Sequence, residues 1–168
     1  MSGPAVIDSV EFARSAQQLS GSLPAATLTR LEDLLYDAHG GVDYEVRGDH
    51  DKRGRLVLRL CITGQLHLQC QRCLYALEHP VRISNTLLLA SPVEVSADEL
   101  DDPQAPDVIE PERELDVAAL IEDEVLLSLP LAARHPEGAC ERRVDKNDIQ
   151  SAGTQSAFAK LAALKRPH

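Results

Sequence analysis

Two cysteines at C-x2-C spacing, Cys70 and Cys73, fall on a tight bend between two long strand-like runs. Such a pair can grip one soft metal ion or close a redox disulfide. A redox pair of the thioredoxin type opens a helix, whose N-terminus lowers a thiol pKa. Here Leu56-Val57-Leu58-Arg59-Leu60-Cys61-Ile62 leads in and Val81-Arg82-Ile83-Ser84-Asn85-Thr86-Leu87-Leu88 leads out, so the pair caps a hairpin. That context predicts a zinc-knuckle geometry, with backbone amides at the bend turned toward the thiolates. Structural zinc takes four ligands. The other two must come from Cys61, Cys140 and the six histidines. His135 and Cys140 share one short Pro/Gly loop that can present both, although their gap is longer than the usual two residues. Cys61, between Leu60 and Ile62, reads as a small packed hydrophobe. A reduced turn pair without metal is the competing reading of Cys70 and Cys73.

With 168 residues, 43% of them apolar, the chain can build one real core, alone or with tails. Aromatics are only 3%, so Leu, Val, Ile and Ala must supply that core. The same scarcity argues against an aromatic platform for stacking single-stranded bases. No apolar run approaches the ~20 residues of a membrane span, and the N-terminus lacks a basic region followed by an apolar one. Four cysteines without such a leader predict a reducing compartment, the cytoplasm.

The net charge of −10 disfavours nucleic acid at face value, but its distribution is uneven. Glu94 to Glu124 holds 13 acids and one base, Arg113, which leaves the remainder of the chain at +2. Basic residues elsewhere form small groups: Lys52, Arg53, Arg55 and Arg59; Arg142, Arg143 and Lys146; Lys160, Lys165 and Arg166. Each group can meet phosphate, or it is a solvated loop or tail.

Along the chain, Val6 to Phe12 predicts a strand or turn. Ser22-Leu23-Pro24 followed by Leu28, Leu31, Leu34, Leu35 and Ala38 predicts a helix that stops at Gly40-Gly41. Val42 to Arg47 reads as a strand, and residues 48–54 as a turn. Alternation from Arg55 to Gln69 is the strongest strand signal, with Gly64 marking a bulge. Leu74 to Ala90 returns as a strand in which Pro80 indicates an edge or a break. Ser91 to Pro111 predicts a long acidic loop with a short strand at Val108-Ile109. A helix follows over Asp116 to Leu129, with Val117, Leu120, Ile121, Val125 and Ser128 on one face and Pro130 beyond its end. Glu122, Asp123 and Glu124 read as its solvated side. The expected fold is α+β: an antiparallel meander with the knuckle-like hairpin, covered by two or three helices. Residues 1–150 make one domain. Residues 151–168 make a polar linker and a short helix with Phe158, Leu161 and Leu164 at three-residue spacing.

Five blocks in order resemble a known bacterial family, the YceD or large ribosomal RNA subunit accumulation proteins. They are Ala13-Arg14-Ser15-Ala16-Gln17-Gln18-Leu19, the Leu68–Cys73 knuckle, Ile121–Pro130, His135–Glu141 and Phe158–Arg166. The resemblance implies a non-enzymatic role in 23S rRNA accumulation and large-subunit assembly. It also implies a four-cysteine zinc site, in which His135 and Cys140 here stand where relatives carry the second cysteine pair. The expected metal ligands are therefore Cys70, Cys73, His135 and Cys140, for one zinc per chain. RNA or partner contacts are expected at Lys52, Arg53, Arg55, Arg59, Arg72, Phe158, Leu161, Lys165 and Arg166. The acidic segment would engage a basic ribosomal protein, which raises the further reading of a chaperone for such a protein. A thiol-redox enzyme using Cys70 and Cys73 is the alternative from another class. No H-E-x-x-H motif, phosphate-binding glycine loop or Cys–His nucleophile pair supports hydrolysis.

Overall fold

The computed structural model describes residues 5–91, 93, 95 and 105–140. Strand β1 (Val6–Ile7) leads into helix α1 (Ser9–Arg14), capped by the Asp8 carboxylate, which accepts from the Glu11 amide. Strand β2 (Gln18–Pro24) is followed by two 3-10 turns, Ala25–Thr27 and Thr29–Leu31. Three long strands come next: β3 (Leu35–His50), β4 (Leu56–Gln69) and β5 (Ala76–Leu89). Short strands β6 (Asp107–Ile109) and β7 (Leu115–Asp116) precede helix α2 (Val117–Ser128). The main sheet runs β2-β3-β4-β5-β6, antiparallel except for the β5–β6 pair, and β1 pairs with β7 in a small second sheet. The α+β class and the meander are observed. Two α-helices occur among the described residues.

Alternation explains β4. Leu58, Leu60, Ile62, Leu66 and Leu68 all point to one face and are buried against Phe12 and Ala13 of α1 and Val117, Leu120, Ile121 and Val125 of α2. Fully burying each such side chain stabilises the fold by roughly 1.5–3 kcal/mol. The other face carries a smaller cluster of Val57, Leu88 and Val95. Helix α2 matches its expected bounds because Asp116 accepts from the Ala118 and Ala119 amides at its start, and Pro130 excludes continuation.

Several expectations are corrected. The helix expected from Ser22 does not form. Leu19, Gly21 and Leu23 alternate on β2, and Pro24 ends this edge strand opposite Gly41. The three-residue spacing of Leu28, Leu31 and Leu34 belongs to 3-10 turns, which repeat every three residues and bury Leu28 and Leu31. Gly40-Gly41 is not a helix stop but lies inside β3. The bulge is not at Gly64 either: pairing runs unbroken through that residue, and the irregularity falls between Leu35 and Gly40. Gly64 serves close approach instead, since an added Cβ would come 2.2 Å from the Gly41 carbonyl oxygen. Cys61 is exposed on the outer face rather than packed, because its neighbours Leu60 and Ile62 take the inner positions.

The carboxylates of α2 are not a solvated side. Glu122 and Glu124 are buried. Glu122 accepts from the Arg30 amide at 2.7 Å, Glu124 accepts from the Asn85 side-chain amide at 2.9 Å, and Asp123 pairs with the Arg30 guanidinium. They brace the helix against a 3-10 turn and β5, which is how a buried carboxylate is accommodated. No helix among the described residues is long and apolar enough to cross a membrane.

Candidate metal centre

Register sets the geometry of the cysteine turn. β4 and β5 pair out to Gln69 and Ala76, leaving Cys70 to Tyr75 as the connection. The Cys70 amide donates to the Tyr75 carbonyl at 3.0 Å and the Leu74 amide to the Cys70 carbonyl at 2.8 Å. Leu74 adopts a left-handed φ of 62° with an exposed side chain, a conformation that a branched residue rarely takes. The segment after α2 then docks on this turn. The Gln71 amide donates to the Ala133 carbonyl at 2.8 Å, and the Arg72 guanidinium to the His135 carbonyl at 3.3 Å.

This docking brings His135 to the cysteines. Its Nδ1 lies 3.4 Å from the Cys73 sulfur, and its Nε2 lies 2.9 Å from the Ala76 carbonyl. A carbonyl can only accept, so Nε2 carries a proton, and in the neutral imidazole that binds metal Nδ1 then presents its lone pair toward the thiols. A carbonyl partner of this kind fixes the tautomer of a metal-binding imidazole.

Cys70 is fully buried. Burial pushes its thiol up. The backbone amides of His135, Arg72 and Cys73, with the Cys73 thiol, outweigh this and bring it down to about 5. Cys70 is thus held as a thiolate, the form that binds metal. The donor atoms of Cys70, Cys73 and His135 lie within 4.8 Å of one another. Ligands on one tetrahedral zinc stand about 3.5–3.8 Å apart, given Zn–S near 2.3 Å and Zn–N near 2.0–2.1 Å. Two thiols and an imidazole of fixed tautomer therefore fit zinc. Cys140 belongs to a second unit, Pro136–His168, and is half-buried; no disulfide joins any of the four cysteines.

The expected phosphate contacts are placed differently. Lys52, Arg53, Arg59 and Arg72 are exposed, and Arg55 is half-buried. Lys52, Arg53, Arg55 and Arg59 line a surface depression of about 630 Å³ with Asn85 and Thr86. Among the described residues, Arg55 pairs with Asp51 and Arg59 with Asp49, each at 2.7 Å. Phe158, Leu161, Lys165 and Arg166 lie outside the described residues, as do the other basic groups after Cys140, the linker, and most of the acidic loop. Sequence reasoning missed Ala133, which acts through its carbonyl, a group every residue carries. It also missed Asp49 and Asp51, although a turn that spaces Asp51 four residues before Arg55 is a legible pairing signal.

Residues 58–165 match the model of a family described as large ribosomal RNA subunit accumulation protein YceD. The chain belongs to this family. The matched stretch contains Cys70, Cys73, His135 and Cys140. Over nearly its whole length the chain is also similar to the large ribosomal RNA subunit accumulation protein YceD of Haemophilus influenzae, at 27% identity across 97% of this chain and 96% of that protein. No solved structure matches.

Proposed function

We propose that this chain is a non-enzymatic factor that supports 23S rRNA accumulation and assembly of the large ribosomal subunit in the cytoplasm. The observation that carries this reading is the near full-length relation to a protein named for large-subunit rRNA accumulation. One zinc completes the structure, held by Cys70, Cys73, His135 and, as fourth ligand, Cys140. In this reading the turn is a zinc knuckle that stiffens one end of the sheet. Lys52, Arg53, Arg55, Arg59 and Arg72 contact rRNA phosphate, and the acidic 94–124 segment engages a basic ribosomal protein. Residues 1–150 act as the folded domain. The tail contributes Phe158, Leu161, Lys165 and Arg166.

A thiol-redox role is disfavoured on physical grounds. In a redox pair the low-pKa sulfur is the accessible, attacking one. Here Cys70 is fully buried, out of reach of an incoming disulfide, and Cys73 is half-buried. The test is a deletion strain complemented with wild type or with Arg53→Glu plus Arg55→Glu, scored by the 23S-to-16S ratio and gradient sedimentation. Deletion should lower the ratio without lowering transcription of the operon. The double reversal should restore it incompletely and weaken RNA association in a salt-dependent manner, because each phosphate contact releases counterions. A normal ratio and normal large subunits in the deletion, in rich and in cold growth, would remove the proposal.

A further inference from the structure

The β3 irregularity does more than turn the chain. Between the pairs Leu35–Leu68 and Gly40–Leu66, five residue steps on β3 answer two on β4. The surplus carries Asp37 and His39, and the β4 residue bracketed by these pairs is His67. Bulges re-aim side chains in this way next to functional sites. Gly40 makes the excursion possible, at φ +86° and with an added Cβ only 2.2 Å from the Gln65 carbonyl oxygen.

The three side chains meet at one carboxylate. His67 Nδ1 lies 3.1 Å from each Asp37 oxygen, and His39 Nδ1 lies 3.2 Å from Oδ1. The two rings are 6.2 Å apart and tilted by 32°. The His39 amide also donates to Asp37 Oδ1 at 2.9 Å. Three nitrogens thus crowd one oxygen that offers about two lone-pair directions. A cation seated among the donors relieves the crowding, because each imidazole then turns a lone pair to the ion. We infer that Asp37, His39 and His67 form a second metal site, for a divalent transition-metal cation, built by the β3 bulge on the outer face of the sheet.

Distances and chemistry agree with this assignment. Ligands about 2.0–2.2 Å from a shared ion stand roughly 2.8–3.1 Å apart at octahedral and 3.3–3.6 Å at tetrahedral angles, and the observed separations of 3.1 and 3.2 Å fall within that span. The donor atoms of all three residues lie within 4.8 Å of one another. Two imidazoles with one carboxylate suit zinc, nickel, cobalt or ferrous iron, whereas magnesium and calcium prefer oxygen alone. Asp37 and His67 are partly enclosed while His39 is 81% exposed, so two ligands are preset and the third closes from the rim. His67 precedes Cys70 by three residues, roughly 10 Å along a strand, so this site is separate from the cysteine centre.

The test uses the full chain, first loaded with one equivalent of Zn²⁺, and then titrated with more Zn²⁺ while histidine side-chain ¹H–¹⁵N resonances are followed. The His39 and His67 rings should shift together and saturate at one further ion per chain, with Mg²⁺ producing no shift. His39→Ala, at an exposed position that leaves the fold intact, should raise the midpoint of the His67 response at least about tenfold, as loss of one of three ligands requires. Asp37→Asn should raise the midpoint for both rings. Rings that titrate with different midpoints, fail to saturate by millimolar Zn²⁺, or keep their midpoints in both variants would overturn the assignment.

Discussion

At the Gln69 end of β4, two sulfurs and an imidazole nitrogen converge; at the Leu56 end, arginines meet carboxylates. Both ends stabilise an anion with backbone amides. Cys70 is lowered by the amides of His135, Arg72 and Cys73 together with the Cys73 thiol. Asp51 accepts from the Arg53 and Arg55 amides, both at 2.8 Å. The difference lies in what balances the charge. At Asp51 the Arg55 guanidinium does so directly. At Cys70 the neighbouring side chains are a second thiol and a lone-pair-bearing imidazole, a set that one cation satisfies jointly. An anion preset by amides therefore marks a metal centre only where its neighbours are donors as well.

The largest effect that can break this comparison is metal removal. Purified under reducing conditions, the chain should carry zinc, and a chelator should lower its melting temperature by at least about 5 °C, because metal affinity is folding free energy. Cys73→Ser should melt lower and lose its response to chelator. Zinc absent by elemental analysis, with melting unchanged by chelator, would make the two ends equivalent and defeat the metal reading.

At the other end, Asp51→Ala removes the acceptor for two amides and one guanidinium. Unfolding in urea should show a loss of about 1 kcal/mol, since the freed donors reach water. The same substitution should leave the response to chelator untouched. A coupled change at both ends would show that β4 transmits strain between them.

The smallest effect is a pH dependence. The Arg59 guanidinium, followed by the His50 amide, holds the Asp49 carboxyl below its ordinary 3.8. A carboxyl depressed in the folded state contributes stability above its unfolded pKa and loses it as pH falls through the folded one. Asp49→Asn should therefore lower stability slightly at pH 7 and flatten the acid limb, so that its difference from wild type shrinks as pH falls below about 4. Equal slopes for wild type and variant in urea titrations at pH 7 and pH 3 would show the pair to be energetically silent, as many exposed ion pairs are.

Legibility followed locality. The hairpin, the extent of α2 up to Pro130, and the short strand at Val108 and Ile109 were readable, because alternation, helical periodicity and proline exclusion act within a few residues. The region from Leu23 to Ala38 was not, because a three-residue leucine spacing satisfies a helical stripe and successive 3-10 turns alike. Strand pairing of β2 with β3 decided between them.

The sequence by itself determined that Cys70 and Cys73 sit together on a hairpin turn, since two residues between thiols on a bend leave little freedom. It also determined which β4 side chains form the core, through period-two alternation. Only the tertiary structure decided that His135 turns its Nδ1 to those thiols, that Glu122 and Glu124 are buried braces, and that Asp37 and His39 stand over His67. Each of these depends on register or docking between segments far apart in the chain. A one-residue slip there would move every side chain to the opposite face without altering any local signal.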